Sequence, residues 1–187
     1  GACVLLSEEA ISLAEGLAMD RGWPNLRPSV DPLAPEGFMS LAWELQEAAE
    51  PAEGIFLFAS SGTGLVGRHL LAALVATGRY GRILALVRRV PDDRLAAVEY
   101  RPVADFARLG EALAGLDLNG AEAFSTLGTT RRQAGSKAAF RAVDFGYNHQ
   151  FAQSVRAQGA THFLLLSALG ASAQSWVFYN QVKGELE

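Results

Sequence analysis

The residues best suited to chemistry in this chain lie near its end. Tyr179 and Lys183 are four apart in Tyr179-Asn180-Gln181-Val182-Lys183, so on a helix both project from one face. A free phenol ionises near pH 10 and is a weak acid or base at neutral pH, whereas a neighbouring ammonium stabilises the phenolate and is expected to lower that value. Ser167 stands twelve residues before Tyr179, where the last of several apolar runs ends. From there its hydroxyl can hydrogen-bond a substrate oxygen while Tyr179 exchanges the proton. The same spacing also suits a surface tyrosine lying along a lysine stem. Such a trio interconverts carbonyl and alcohol only beside a hydride carrier, so the chemistry requires a nucleotide site elsewhere in the chain.

A candidate site of that kind is Ser60-Ser61-Gly62-Thr63-Gly64-Leu65-Val66-Gly67. Gly62, Gly64 and Gly67 fit G-x-G-x-x-G between an apolar run and a Leu- and Ala-rich helix. The turn must be sharp, bring backbone N–H groups against a pyrophosphate and let helix and strand pack closely. Ser61 to Gly67 are therefore the expected contacts, with the helix N-terminus adding partial positive charge. A tight turn between strand and helix can also be purely structural. The second run ends in Arg88-Arg89, where an NAD site would place an acidic residue for the ribose hydroxyls. Two guanidiniums suit a 2′-phosphate instead, which favours NADP(H), although solvated arginines after a strand are the plainer alternative. Asp105 and Phe106 follow the third run and are expected beside the adenine. Leu127, Gly128 and Thr129 end the fourth and are expected to line the crevice.

These residues need a scaffold, and the hydrophobic pattern supplies one. Short apolar runs at Ile55–Ala59, Ile83–Val87, Val98–Arg101, Ala123–Leu127 and Phe163–Leu166 alternate with helical stretches. The helices are expected at Leu65–Thr77, Phe106–Ala114, Lys137–Gln158 and Val177–Glu187. Continuous apolar strands separated by helices indicate a parallel sheet covered on both faces. Right-handed crossovers then predict an α/β doubly wound, Rossmann-type sheet in the order 3-2-1-4-5, incomplete at its C-terminal end.

Charge marks the boundary of this domain. Residues 1–53 hold 10 acidic and 2 basic side chains, and residues 54–187 hold 10 and 14. An acidic extension over 1–53 is thus expected before a nucleotide-binding domain over 54–187. The extension reads as helical at Ser7–Arg21 and Phe38–Ala49, separated by Pro24, Pro28, Pro32 and Pro35. No apolar run reaches the ~18 residues of a membrane span. Glu8, Glu9 and Glu15 interrupt the opening segment where a secretory signal would be apolar, so an intracellular, cytoplasmic protein is expected. Cys3 is the single cysteine, and His69, His149 and His162 lack ligand spacing, so no metal site is expected. A small-molecule substrate is expected, with no nucleic-acid or membrane partner. Oligomeric state stays open.

From about Ile55 to Glu187 the chain resembles the atypical short-chain dehydrogenase/reductase group, in the branch similar to the human Tat-interacting oxidoreductase. The resemblance is carried by Leu127-Gly128-Thr129-Thr130-Arg131, Phe140-Arg141-Ala142-Val143-Asp144, Leu166-Ser167-Ala168-Leu169-Gly170-Ala171 and Phe178-Tyr179-Asn180-Gln181-Val182-Lys183-Gly184-Glu185-Leu186-Glu187. It implies that Ser167, Tyr179 and Lys183 are the catalytic residues and that the glycine turn and Arg88 contact NADPH. Three departures accompany it. The group's first turn glycine falls on Ser61, its sixth strand and substrate-binding region have no counterpart after Glu187, and residues 1–53 match nothing in it. The expected activity is an NADP(H)-dependent oxidoreductase acting on a small carbonyl or alcohol. The alternative is a regulatory or scaffold protein that binds NADPH without turnover.

Overall fold

The structure is a computed structural model. It describes the backbone of residues 55–59 and 65–187, with side chains from residue 66 onward. The helices expected in residues 1–53, and Ser61, Gly62, Thr63 and Gly64 of the glycine turn, lie outside the described residues.

Five parallel strands pair in the order β3-β2-β1-β4-β5, as the alternating pattern predicts. They are β1 (Ile55–Ala59), β2 (Ile83–Val87), β3 (Val98–Pro102), β4 (Glu122–Ser125) and β5 (His162–Leu165). Ile55 sits opposite Ile83 on one side and Glu122 on the other, so β1 is central. Helix α1 (Leu65–Thr77) follows β1. A 3-10 turn (Phe106–Arg108) leads into α2 (Leu109–Leu113) after β3. After β4 come α3 (Arg131–Ala134), α4 (Lys137–Arg141), a π-helical turn (Ala142–Tyr147) and α5 (Asn148–Ala157). Helix α6 (Phe178–Leu186) follows β5.

Strand β2 shows why an uninterrupted apolar run belongs inside such a sheet. Ile83, Ala85 and Val87 point to one face and pack with Leu70, Leu71 and Leu74 of α1. Leu84 and Leu86 point to the other and pack with Leu109, Leu113, Phe151 and Val155. Burying each leucine contributes about 1.5–3 kcal/mol, and both faces of the strand are used. The edge strands read differently: β3 buries only Val98, and β5 only Leu165.

Strand β4 is apolar in its middle and polar at both ends, yet all four residues are buried. Its first residue, Glu122, accepts from Arg79 Nη2 at 2.8 Å and from the Tyr80 hydroxyl at 2.7 Å. Its last, Ser125, donates to the Asn148 side chain. Buried polar groups persist only when bonded in this way. One end of β4 is therefore locked to the loop before β2, and the other to the helix that crosses back over the sheet. That second end leads into the site.

Candidate active site

In a parallel sheet the strands' carboxyl ends share one edge, where crossovers on opposite faces leave a crevice. Arg88 follows β2 there and Leu127-Gly128-Thr129 follow β4, on either side of β1. Gly67 is buried in the first turn of α1, as close packing of helix and strand requires, and Val66 is half-buried. For Leu65 the structure describes the backbone alone.

The centre of this edge is a buried ion pair that the sequence reading did not foresee. Lys183 Nζ stands 2.9 Å from Asp144 Oδ1, and both side chains are almost wholly shielded from water. At 2.9 Å the ammonium is within hydrogen-bonding reach of Oδ1, and the two opposite charges attract directly. The other oxygen, Oδ2, accepts the main-chain N–H of Thr129 at 2.9 Å. Gly128 faces the pair from the sheet side, where a Cβ would lie 3.4 Å from Oδ1 and 3.6 Å from Nζ. Next to Asp144, Asn148 Nδ2 donates to the carbonyls of Leu127 at 3.2 Å and Asp144 at 3.0 Å, tying the β4 turn to the π turn.

Asp144 and Asn148 were missed, but they carry a signal. Phe140, Asp144, Asn148, Phe151 and Val155 form one inward stripe at spacings of three and four, all essentially buried. An aspartate and an asparagine in the middle of an apolar stripe require polar partners inside. The helix expected over Lys137–Gln158 is interrupted at Asp144 itself by the π turn, a feature often found at functional sites.

Tyr179 lies in the first turn of α6 and Lys183 one turn later, as the four-residue spacing requires. The phenol ring is half-buried against Phe140, with centroids 5.5 Å apart. Its acidity differs from expectation. Burial, and next the negative charge of Asp144, push the phenol above its usual value. The expected lowering by Lys183 does not arise, because that ammonium is spent on Asp144. Burial also raises the Asp144 carboxyl, against the opposing pull of Lys183 and the Thr129 N–H. Ser167 lies after β5, but its hydroxyl donates to the Glu187 carboxylate. That partner is about two helical turns beyond Tyr179. The structure thus joins Tyr179, Lys183 and Asp144 and gives Ser167 a different neighbour.

The remaining expected contacts fall into two groups. The Arg88 guanidinium lies over the Phe106 ring, 5.5 Å from its centroid, and Tyr147 meets the same ring edge-on at 6.3 Å. Arg88 and Arg89 are exposed, and among the described residues neither forms a salt bridge. Asp105 caps the 3-10 turn, accepting the Ala107 N–H at 2.9 Å. Leu127 is core, and the Thr129 N–H is taken by Asp144. Among the described residues no group of three or more His, Cys, Asp or Glu is placed to hold a metal ion. Nor, among them, is any helix long and apolar enough to cross a membrane.

Comparison with solved structures identifies this architecture. Its sheet superimposes on UDP-glucose 4-epimerase of Thermotoga maritima with a TM-score of 0.53 at 12% identity, over 71% of this chain and 48% of that one. A short-chain dehydrogenase/reductase superfamily protein of Agrobacterium tumefaciens, solved with bound NAD, gives 0.50 at 19% identity, over 70% and 43%. The chain has a Rossmann fold. At these identities the likeness shows the fold alone. No protein-family model matches the chain. In sequence it is similar to fungal proteins named FMP52, mitochondrial. It is 34% identical over 133 residues to the Scheffersomyces stipitis FMP52-1 protein, covering 70% of this chain and 58% of that relative. The Debaryomyces hansenii protein is 33% identical over 130 residues, covering 70% and 57%, and the Candida albicans protein 30% over 132, covering 70% and 58%. The Rossmann chain thus spans under three fifths of the length of these curated relatives. They carry the FMP52 name rather than that of the human Tat-interacting oxidoreductase. They also overturn the cytoplasmic expectation, since all three are named mitochondrial. The expectation rested on acidic residues near position 10, which carry no information about an organelle.

Proposed function

We propose that this Rossmann domain is the nucleotide-binding part of an NADP(H)-dependent oxidoreductase of the short-chain dehydrogenase type, acting on a small carbonyl or alcohol. The observation that carries the reading is the course of α6. It seats Lys183 against Gly128 and Asp144 at the carboxyl edge of β4 and leaves Tyr179 one turn away in the same electrostatic field. A buried ion pair one helical turn from a phenol, on the sheet edge where Rossmann proteins hold nucleotides, suits moving a proton next to a bound cofactor.

Arg88 and Phe106 fit the adenosine end. A planar cation stacked on a ring, with its N–H groups exposed, can take a 2′-phosphate by paired charged bonds while the ring supports the base. NADP(H), when bound, supplies or accepts the hydride. The chain's own part in carbonyl reduction is the proton: Tyr179 O–H donates to the oxygen as it gains negative charge. Lys183 holds positive charge nearby, and the proton passes from the phenol as hydride addition makes the substrate oxygen the stronger base. Ser167 is the proposed hydrogen-bond donor to that oxygen, which requires it to leave Glu187. The resemblance to the Tat-interacting oxidoreductase branch supports the same reading, and the NAD bound to the Agrobacterium neighbour supports a nicotinamide cofactor of either kind.

The test is NADPH consumption with a panel of small aldehydes and ketones by wild type and Tyr179→Phe. Loss of turnover with NADPH binding retained supports the oxidoreductase. Binding without consumption in either protein assigns the fold to a nucleotide-sensing role instead.

A further inference from the structure

We propose that the substrate of this site carries a carboxylate: it is an aldehyde or ketone whose negative group is held by Lys137, with Arg131 and Arg132 beside it, and whose apolar body lies along Trp176 and Val177. This substrate class rests on the reading of Tyr179 as the proton donor. Between Ala123 and Gly184, Asp144 is the one acidic residue against six basic ones. Asp144 is spent on Lys183, and Arg141 pairs with Glu185. Arg156 stands in the last turn of α5, which runs back across the sheet to its amino edge. Arg131, Arg132 and Lys137 remain. All three are exposed, and among the described residues none forms a salt bridge.

Their placement sets these cations apart from ordinary solvated side chains. Arg131 and Arg132 open α3 and Lys137 opens α4, and neither first turn holds an acidic residue. Helix starts favour negative charge, so cations there oppose the helix dipole, and a local rule broken in this way points to function. In the order β3-β2-β1-β4-β5 these helices follow β4, whereas Arg88 and Phe106 follow β2 and β3. A dinucleotide with its adenosine end at Arg88 therefore leaves the β4 side to the substrate. Lys137 also lies close to the proton donor. Its Nζ stands 5.1 Å over the Phe178 ring, and the rings of Phe178 and Tyr179 both pack on Phe140, with centroids 5.8 and 5.5 Å away. Just before them, Trp176 is fully exposed and Val177 is 58% exposed. Uncovered apolar side chains beside a cation, at the start of the helix that carries Tyr179, suit a ligand with an apolar body and a negative end. Unopposed positive charge around the site also speeds the encounter with an anion.

The experiment uses the full chain with NADPH and succinic semialdehyde, adipic semialdehyde or terephthalaldehydic acid, each against its methyl ester. In wild type, kcat/KM should favour the acid over its ester by about tenfold or more at low salt, and the advantage should shrink as ionic strength rises. Replacing Arg131, Arg132 and Lys137 together by glutamine should bring that ratio to about one, by raising KM for the acids while the esters stay within about twofold. All three side chains are exposed, so Tm should hold; if it falls, Lys137→Gln alone should still lower the ratio. Arg156→Gln, at the other edge, should keep the wild-type ratio. Binding is read separately by NMR of the Trp176 indole N–H, identified through Trp176→Phe. Terephthalaldehydic acid should shift that signal in wild type at concentrations where its ester does not, and in the triple variant the two should act alike. Acid and ester equal in both binding and turnover by wild type would overturn the proposal and leave the cationic face to another partner. A ratio unchanged in the triple variant overturns it equally. Should wild type reduce none of the aldehydes, the oxidoreductase reading fails by itself, and the indole titration still decides whether the carboxylate is held.

Discussion

Lys183 and Asp144 meet at 2.9 Å in the interior, the ammonium from α6 and the carboxylate from the π turn, 39 positions earlier in the chain. Each is the other's main charge partner. Removing one leaves a buried charge alone, and removing both leaves none. Lys183→Met should therefore cost about 3–5 kcal/mol, and Lys183→Met combined with Asp144→Leu much less. Urea denaturation of the two variants checks this. A double variant as unstable as the single one would show that the pair is not coupled.

Tyr179 is held protonated by burial and by Asp144. A group that must donate a proton, and whose ionisation is pushed above its ordinary value, stays competent as pH rises. The kcat/KM for carbonyl reduction should thus stay level from pH 7 to about 9 with respect to this group, falling only when the phenol ionises. A decline centred near neutrality in wild type, absent in Tyr179→Phe, would instead point to a phenol lowered by Lys183.

At the opposite edge of the sheet, the Tyr80 hydroxyl donates to buried Glu122, and burial first, then that bond, raises its ionisation. Tyr80→Phe leaves the carboxylate one donor short, which should cost about 1.5–3 kcal/mol. The folded state keeps the phenol proton beyond the pH at which the unfolded chain releases it. The advantage over Tyr80→Phe is therefore complete below about pH 10 and shrinks above it as the pH rises toward the folded-state value. Thermal denaturation from pH 7 to 11 reads both effects, and a difference that grows above pH 10 would refute the linkage.

Gly184 sits inside α6, where alanine ordinarily helps a helix by about 1 kcal/mol. Here a Cβ would come within 2.3 Å of the Ser172 backbone, whose N–H also bonds the Asn180 carbonyl at 3.0 Å. Gly184→Ala should lose about 1–3 kcal/mol by forcing the loop off the helix. A rise in Tm would show that the loop yields freely.

What the sequence made legible divides along physical lines. Strands β1 and β2 and helix α1 were bounded correctly because apolar runs and a glycine-rich turn are local signals. Strand β4 was expected one to two residues late, at Ala123–Leu127, because Glu122 looks like a loop residue. Only its bonds to Arg79 and Tyr80, over 40 positions away, allow it inside. Tyr179 and Lys183 were legible from spacing, which fixes a shared helix face but not a partner. That Lys183 turns to Asp144 depends on α6 crossing the π turn, a tertiary fact with no local trace beyond two polar residues in an apolar stripe. Ser167 was placed by its distance from Tyr179 along the chain. The loop between them folds so that Ser167 meets the far end of α6.

The most direct measurement is a calorimetric titration of wild type and Arg88→Ala with NADPH and with NADH. Wild type should bind NADPH, and Arg88→Ala should weaken it about 10- to 100-fold, the worth of a charged hydrogen-bonded contact, while changing NADH affinity less than about threefold. Absence of heat with either dinucleotide in the wild-type protein, or equal losses for both in the variant, would contradict the account.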